Sequence, residues 1–346
     1  MRPLTSTALE VGEWSSAGPG ARGSEAEGDA VKAVRVDAYG GPEVLVPVEL
    51  PDPVPEAGEL LIRTEAVDTI FVETQIRAGW GDRFGITPPY VPGGAVAGTV
   101  AGVGAGVDGE WLGRRVLAAG AALGTYAELV RAPLEHLVTV PDGLGPAEAA
   151  ALGHDGVTAA GIAAAAGITA GTRVLVLGAA GGMGTLLVQL ALAAGAEVVG
   201  AARGERKLAL VRSLGAHAVV DYTEEGWAGR VGGVDLLLDG VGGELGRAAF
   251  ALVRDGGRVS AHGAPSGGFA EPDPLEAGRR GITVTGIREV QFEPEQRRRL
   301  AAFALGEAAA GRLRPVVSRT FPLDRAADAH RAIEAREVPG KALLVP

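Results

Sequence analysis

The chain has no cysteine among its 346 residues. That absence excludes a disulfide framework, a thiolate zinc site and a cysteine nucleophile together. Histidine is scarce as well. His136, His154, His217, His262 and His330 are scattered without ligand spacing, so each reads first as a surface or core residue, and only His262, after the apolar GRVSAHG run, is placed to face a cleft. No apolar run is long and unbroken enough for a membrane span, since TLLVQLALAAGAEVVGAA carries Gln, Glu and glycines. Residues 1–30 lack the apolar core of a signal peptide, and a net charge of −10 argues against nucleic acid as a partner. A soluble cytoplasmic protein is the expectation. Only three of the 32 basic residues are lysines, Lys32, Lys207 and Lys341, which is the mark of a GC-rich coding sequence.

What the chain does have is glycine, 55 residues of it, so a glycine cluster alone carries little weight. The cluster in TRVLVLGAAGGMGTLLVQLALAAGAEVVGAARGERK gains weight from its position. Val174 to Leu177 form a short aliphatic run suited to a strand buried on both faces. Gly181, Gly182, Met183 and Gly184 follow, then Leu186, Leu187, Leu190 and Ala191 at helical spacing, then the apolar run Val198 to Ala202. A strand–helix–strand unit of about 30 residues with glycines at its first turn is the size of a dinucleotide-binding βαβ. The glycines let a pyrophosphate approach the N–H groups of a helix start. Ala179 stands where the usual G-x-G-x-x-G has its first glycine.

The end of the second strand separates NAD from NADP. An acidic residue there binds a ribose 2′-hydroxyl, whereas cations suit a 2′-phosphate. Here the strand runs into Ala202-Arg203-Gly204-Glu205-Arg206-Lys207. Charge-assisted bonds to a phosphate contribute ~1.5–3 kcal/mol each, so NADPH is the expected cofactor. A solvated helix start with ordinary surface arginines is the alternative, and Glu205 speaks for it.

Residues 1–30 are rich in Gly, Ser, Ala and Glu with no periodicity and read as a disordered extension. A GUG start at Val31 is the accompanying expectation. From Val31 the texture is strand-like, with VKAVRVDAYG and ELLIRTEAV alternating and Gly/Pro-rich turns recurring up to GTYAELV. From about Asp155 strand–helix units take over, continuing through HAVVDY, VDLLLDGVG, GGRVSAHGA and GITVTGI. The tail holds a helical piece, PEQRRRLAAFALGEAAAGRL, and the strand-like KALLVP. This order predicts an α/β protein in which a cofactor domain is inserted into a β-rich, barrel-like domain, with the substrate in the cleft between them.

The motifs AYGGPEVL, PYVPGGAVAGTVAGVGAGV, GTYAELV, GVTA, AAGGMG, VVDYTEE and GKALLVP, in this order, resemble the medium-chain dehydrogenase/reductases. The resemblance is to the zinc-free NADPH:quinone oxidoreductase, ζ-crystallin-like branch, and covers Val31 to Pro346. It implies a GroES-like β-barrel catalytic domain (31–154, with a return at 291–346), an inserted Rossmann NADPH-binding domain (155–290), and a homodimer. It also implies cofactor contacts at Thr158, Gly181, Gly182, Met183, Gly184, Arg203, Lys207, Tyr222, Gly240, Gly263 and Ile287. The segment AVDTIFVETQIRAGW matches the substrate cleft, where the branch carries Asn, Asp and Tyr and this chain has Ile70, Glu73 and Gln75. Where zinc relatives place Cys and His-Glu, it has Ile70 and Gly94-Ala95, so no metal is expected.

The expected substrate is a quinone or conjugated enone, with Thr74 and Gln75 donating hydrogen bonds to its oxygen and no obligate protein acid or base. Glu73 and Arg77 read equally as a structural ion pair or as substrate contacts, and Phe71 and Trp80 as core or cleft wall. An enoyl reductase of secondary metabolism and an NADPH-binding protein with little turnover stay open as alternatives.

Overall fold

The computed structural model describes residues 30–120, 124–270 and 272–346. The expectations of a disordered extension and of a start at Val31 concern a segment that, apart from Ala30, lies outside the described residues.

The front half is antiparallel. β1 (Ala30–Val36) pairs with β2 (Leu45–Pro51). Then come β3 (Glu59–Asp68), the short helix α1 (Phe71–Gln75), β4 (Ala95–Val103), β5 (Arg115–Ala119), β6 (Leu129–Pro133) and β7 (Leu137–Thr139). β3 pairs with both β4 and β6, and β4 continues to β5 and β7. Val34, Ile62, Val96, Val116, Tyr126 and Val130 fill the interior between these strands. Alternation is visible in β3 because one face meets this core and the other meets solvent.

Two helices, α2 (Pro146–Ala151) and α3 (Asp155–Ala166), lead into a second sheet. Its strands are β8 (Arg173–Leu177), β9 (Glu197–Ala202), β10 (Ala218–Asp221), β11 (Val234–Asp239), β12 (Val253–Ala261) and β13 (Thr283–Gly286). They lie in the order β10-β9-β8-β11-β12-β13, all parallel. Numbered from its own first strand this is 3-2-1-4-5-6, the doubly wound order of dinucleotide-binding folds. The connecting helices are α4 (Gly182–Ala193), α5 (Glu205–Ser213), α6 (Trp227–Val231), α7 (Gly243–Phe250) and α8 (Pro274–Arg279). β8 has no alternation because Val174 and Val176 meet Leu186 and Leu187 on one face, while Leu175 and Leu177 meet the cluster of Trp227 and Phe250 on the other.

The tail comprises α9 (Pro294–Ala309), β14 (Val317–Pro322), α10 (Ala326–Glu334) and β15 (Lys341–Val345). β15 joins the first sheet antiparallel to the end of β3, pairing Leu343 with Asp68 and Leu344 with Val67, and β14 lies parallel outside it. The GroES-like barrel with an inserted Rossmann domain is therefore the fold of this chain. No helix among the described residues is long and apolar enough to cross a membrane.

The sheet's C-terminal edge sets the shape of the cleft. At the ends of β11 and β12 the backbones close to a distance that only glycine permits, since a Cβ on Gly263 would lie 2.1 Å from the carbonyl of Gly240. Gly263→Ala must therefore shift backbone, and it is expected to cost ~1–3 kcal/mol. The urea midpoint should fall without a change in the slope of the transition, and an unshifted midpoint would show that the two strand ends can part freely.

Candidate functional site

The turn after β8 is built from backbone. Gly178 carries φ +81°, a conformation that other residues adopt only with strain, and it turns the chain out of the strand. The missing first glycine of the sequence motif is thus supplied one residue earlier, and Ala179 is buried behind it. The Gly181 N–H donates to the Gly178 carbonyl at 3.0 Å, and α4 opens at Gly182, Met183 and Gly184. A Cβ on Gly184 would lie 2.2 Å from the Gly178 oxygen, so helix and strand pack at the limit of contact. The N–H groups of the first turn have no carbonyl behind them in the helix, and they form a ready anion site.

Beside this turn the strand ends line one edge. The Gly240 N–H donates to the Leu177 carbonyl at 3.1 Å and the Gly263 N–H to that of Asp239 at 3.0 Å. Asp239 is buried, and burial raises its carboxyl against the pull of the Val241 and Gly242 N–H groups it accepts. Ile287 is half-buried just after β13. His262 lies with its Nε2 beside Gly240, 3.4 Å from where a Cβ there would sit. It is buried against Ser260, and burial pushes its imidazole down to about 4, so it stays neutral.

A cavity of about 470 Å³ opens at the end of β9, lined by Arg203, Arg206, Lys207, Arg319 and Arg336 among others. Arg336 was not foreseen from the sequence. It sits after α10 with φ +59°, and its guanidinium lies 5.0 Å from the centroid of the Phe71 ring. Its carbonyl accepts a 2.8 Å bond from Lys207 Nζ. Burial lowers the Lys207 ammonium, and the like charges of Arg203, Arg336 and Arg206 lower it further. Tyr222 is half-buried; burial raises its hydroxyl, and Arg203 and Arg336 draw it back. Glu205 turns to Arg212, with an oxygen at 3.2 Å, and that bond holds its carboxyl below the usual range.

Across the cleft lie β3, α1 and the start of α3. Gln75 is half-buried, and its Nε2 donates to Thr74 Oγ1 at 3.1 Å. Thr74 is fully buried and its hydroxyl donates to the Phe71 carbonyl at 2.7 Å, so of the two expected donors only Gln75 has an exposed side chain. Glu73 and Arg77 do not pair with each other. Arg77 is buried against Glu334 and the Gly40 carbonyl, and Glu73 accepts from the Tyr126 hydroxyl at 2.9 Å, which in turn contacts His330 Nε2 at 3.0 Å. Phe71 is half-buried beneath Arg336, and Trp80 carries Arg83 over its ring at 4.4 Å.

At the junction of the two domains Lys341 is buried. It pairs with Asp68 at 2.6 Å and Asp155 at 3.0 Å, and it donates to the Thr69 carbonyl at 3.1 Å. His154 Nδ1 reaches the other oxygen of Asp68 at 3.2 Å. Thr158 stands one turn further along α3, its N–H donating to the His154 carbonyl.

Known proteins share this arrangement along nearly the whole chain. The alcohol dehydrogenase GroES-like domain matches residues 56–142, and the zinc-binding dehydrogenase family matches residues 214–344. A quinone oxidoreductase of Sus scrofa is 32% identical over 91% of this chain and 98% of its own. The chain belongs to the quinone oxidoreductases of the medium-chain dehydrogenase/reductase superfamily. A mycobacterial relative of this family, solved in complex with NADPH, superposes with a TM-score of 0.83 at 33% identity, covering 91% of this chain and all of the other. A 2-haloacrylate reductase of a Burkholderia species is 30% identical over 91% of this chain and 99% of its own.

Two features bear on the groups such a family can hold. The metal in the matched family's description would find no thiolate ligand in a chain without cysteine, and among the described residues no three His, Asp or Glu side chains gather to bind an ion. The dinucleotide fares differently. The glycine turn leaves the helix N–H groups open to a pyrophosphate, and the clustered cations at the end of β9 repel one another until an anion enters. Both fit a dinucleotide with a 2′-phosphate.

Glu73 adds a pH dependence. Burial raises its carboxyl to about 7, Asp68 adds to this, and His154, the Ile70 N–H and Tyr126 oppose it. In the folded state Glu73 therefore holds a proton that the unfolded chain releases near 4.5. Its contribution to stability is complete below that value and is lost as pH rises through about 7. The effect is on the order of 3 kcal/mol. Glu73→Gln should shrink the fall in melting temperature between about pH 5 and pH 8, as followed by thermal scans; an unchanged difference would contradict a protonated Glu73.

Proposed function

We propose that the protein is an NADPH-dependent reductase of quinones or other conjugated carbonyls that works without a catalytic metal. The observation that carries this is the basic cavity lined by Arg203, Lys207 and Arg336 at the end of β9, whose Arg336 also lies over the Phe71 ring. Gly181, Gly182, Met183 and Gly184 would hold the pyrophosphate, and Arg203, Lys207, Tyr222 and Arg336 the 2′-phosphate. Thr158, Gly240, Gly263 and Ile287 would flank the nicotinamide half. When bound, NADPH supplies the hydride. The chain orients the acceptor, excludes water and offers the Gln75 amide to an oxygen that gains charge, an electrostatic contribution of up to ~3–4 kcal/mol in a dry site. Thr74 assists by holding Gln75.

Acceptors already activated by conjugation suit this modest electrophilic help. The NADPH complex of the mycobacterial relative supports the cofactor, and the Burkholderia reductase, named for an activated alkene, supports enones beside quinones. An enoyl reductase is the second reading on the same ground. The same proposal divides the chain into 31–154 and 291–346 for the catalytic domain and 155–290 for the cofactor domain, in a cytoplasmic homodimer. The return of β14 and β15 to the sheet of β3 supports the division, and the outer position of β13, with Val284 exposed, offers an edge for a second copy.

NADPH oxidation with quinones, enones, simple ketones and, in reverse, primary alcohols tests the substrate class. Turnover of quinones or enones is expected, and turnover confined to simple ketones and alcohols would overturn the reading. Lys207→Ala should weaken NADPH binding by ~1.5–3 kcal/mol, roughly tenfold to a hundredfold, and leave NADH binding unchanged. Equal losses for both nucleotides in a fluorescence titration would remove the cavity from the cofactor site.

A further inference from the structure

Among the described residues His154 is the one histidine whose ring joins a buried carboxylate while part of it stays exposed. Asp68, at the end of β3, is fully buried, whereas the His154 side chain is 20% exposed. Its Nδ1 lies 3.2 Å from Asp68 Oδ2, and the His154 backbone N–H also points to that oxygen at 3.4 Å. Asp68 is ionised. Burial opposes its charge, but the Lys341 ammonium and the bond to His154 outweigh burial and hold the carboxyl below its usual range. An ionised carboxylate only accepts, so Nδ1 is the donor and the ring is fixed with Nε2 on its far side.

Nε2 points over Gly94. A Cβ at that position would lie 2.8 Å from Nε2 and 3.0 Å from Cε1, so the ring fills space that any side chain there would take. Among the described residues none hydrogen-bonds Nε2. The ring stands between the two halves of the site. Two residues beyond Asp68 the chain enters the Ile70–Gln75 wall, and the residue after His154, Asp155, packs on Gly182 of the glycine turn. Thr158, one turn along the same helix, is half-exposed on the same side.

We propose that His154 is the proton donor of the reduction, with its Nε2–H delivered to the acceptor oxygen and Asp68 acting as the positioning residue behind it. This rests on the reading of the protein as a quinone or enone reductase. Hydride addition brings two electrons to the quinone and leaves one oxygen as a phenolate. The N–H bond of the protonated ring breaks, an O–H bond forms on that oxygen, and the neutral imidazole takes a new proton from solvent through its exposed edge. The products are the hydroquinone and the oxidised nucleotide. The groups facing the ring are Asp68 from β3, Glu73 from α1, Asp155 on its own helix and Lys341 from β15.

The test compares wild type with His154→Gln, which keeps a hydrogen-bonding side chain but carries no transferable proton. NADPH oxidation is measured with 1,4-naphthoquinone and with 2-cyclohexen-1-one across a pH series. In the variant kcat should drop by about 100-fold or more across the series, with KM for NADPH unchanged. A second readout needs no cofactor. Long-range ¹H–¹⁵N spectra of the protein alone should show Nδ1 as the protonated nitrogen of the neutral His154 ring. A variant that keeps the wild-type rate overturns the proposal, as does a neutral ring protonated on Nε2. Failure of the functional reading looks different, because wild type would then have no rate with either acceptor.

Discussion

The buried ammonium of Lys341 is the contact on which the rest of the site depends. It lies between Asp68, which ends the central strand of the first sheet, and Asp155, which begins the helix leading into the second. Burial alone would lower the ammonium, but the two carboxylates outweigh burial and raise it. Three charges removed from water are tolerated only because each is paired, and loss of the cation would leave two carboxylates uncompensated, a cost of ~3–5 kcal/mol for a broken buried pair. The same residue packs on Gly182, while its neighbour Gly340 donates to the Ala180 carbonyl at 2.7 Å. The last strand of the chain thus fastens the glycine turn to the wall of the barrel. These polar contacts lie beside a shared apolar core in which Ala66, Ala97 and Leu117 of the barrel join Leu152, just after α2, and Val174 and Leu186 of the second domain.

This explains why the polar residues near the cleft divide into two groups. Those behind the wall are buried: Glu73, Tyr126 and His330 form a chain of hydrogen bonds, Arg77 pairs with Glu334, and burial keeps His330 neutral with its imidazole pushed down to about 3. Those at the cleft's edge, Gln75, His154, Lys207 and Arg336, retain exposed atoms. The first group shapes the wall, and only the second is available to ligands. Hydride and proton are then proposed to reach the acceptor from opposite sides of the cleft, one from the nucleotide along the strand ends and one from the helix start.

The βαβ unit was legible in the sequence because its signal is local: an apolar run, glycines and an apolar helix stand next to one another in the chain. Arg203 and Lys207 were legible for the same reason. Arg336 was not, because it reaches Lys207 from 129 positions away and owes its place to a left-handed backbone at a non-glycine residue. His154 was read as an isolated histidine because its partner Asp68 is 86 residues earlier. Glu73 and Arg77 stand at helical spacing and suggested each other, yet tertiary contacts gave each a different partner. β14 was missed because VSRTFP is largely exposed and its pattern is weak. Periodicity reports which face is buried; it carries no information on which distant side chain meets it.

The glycine turn, the basic cavity and the His154–Gln75 cleft are proposed to form one continuous site for NADPH and its acceptor. A crystal structure of the NADPH complex should show the 2′-phosphate within hydrogen-bond distance of Arg203, Lys207 and Arg336, the pyrophosphate on the N–H groups of Gly182 to Gly184, and the nicotinamide between Thr158 and Gly263, facing His154 and Gln75. A 2′-phosphate bound outside the cavity, or a nicotinamide turned away from His154 and Gln75, would contradict it.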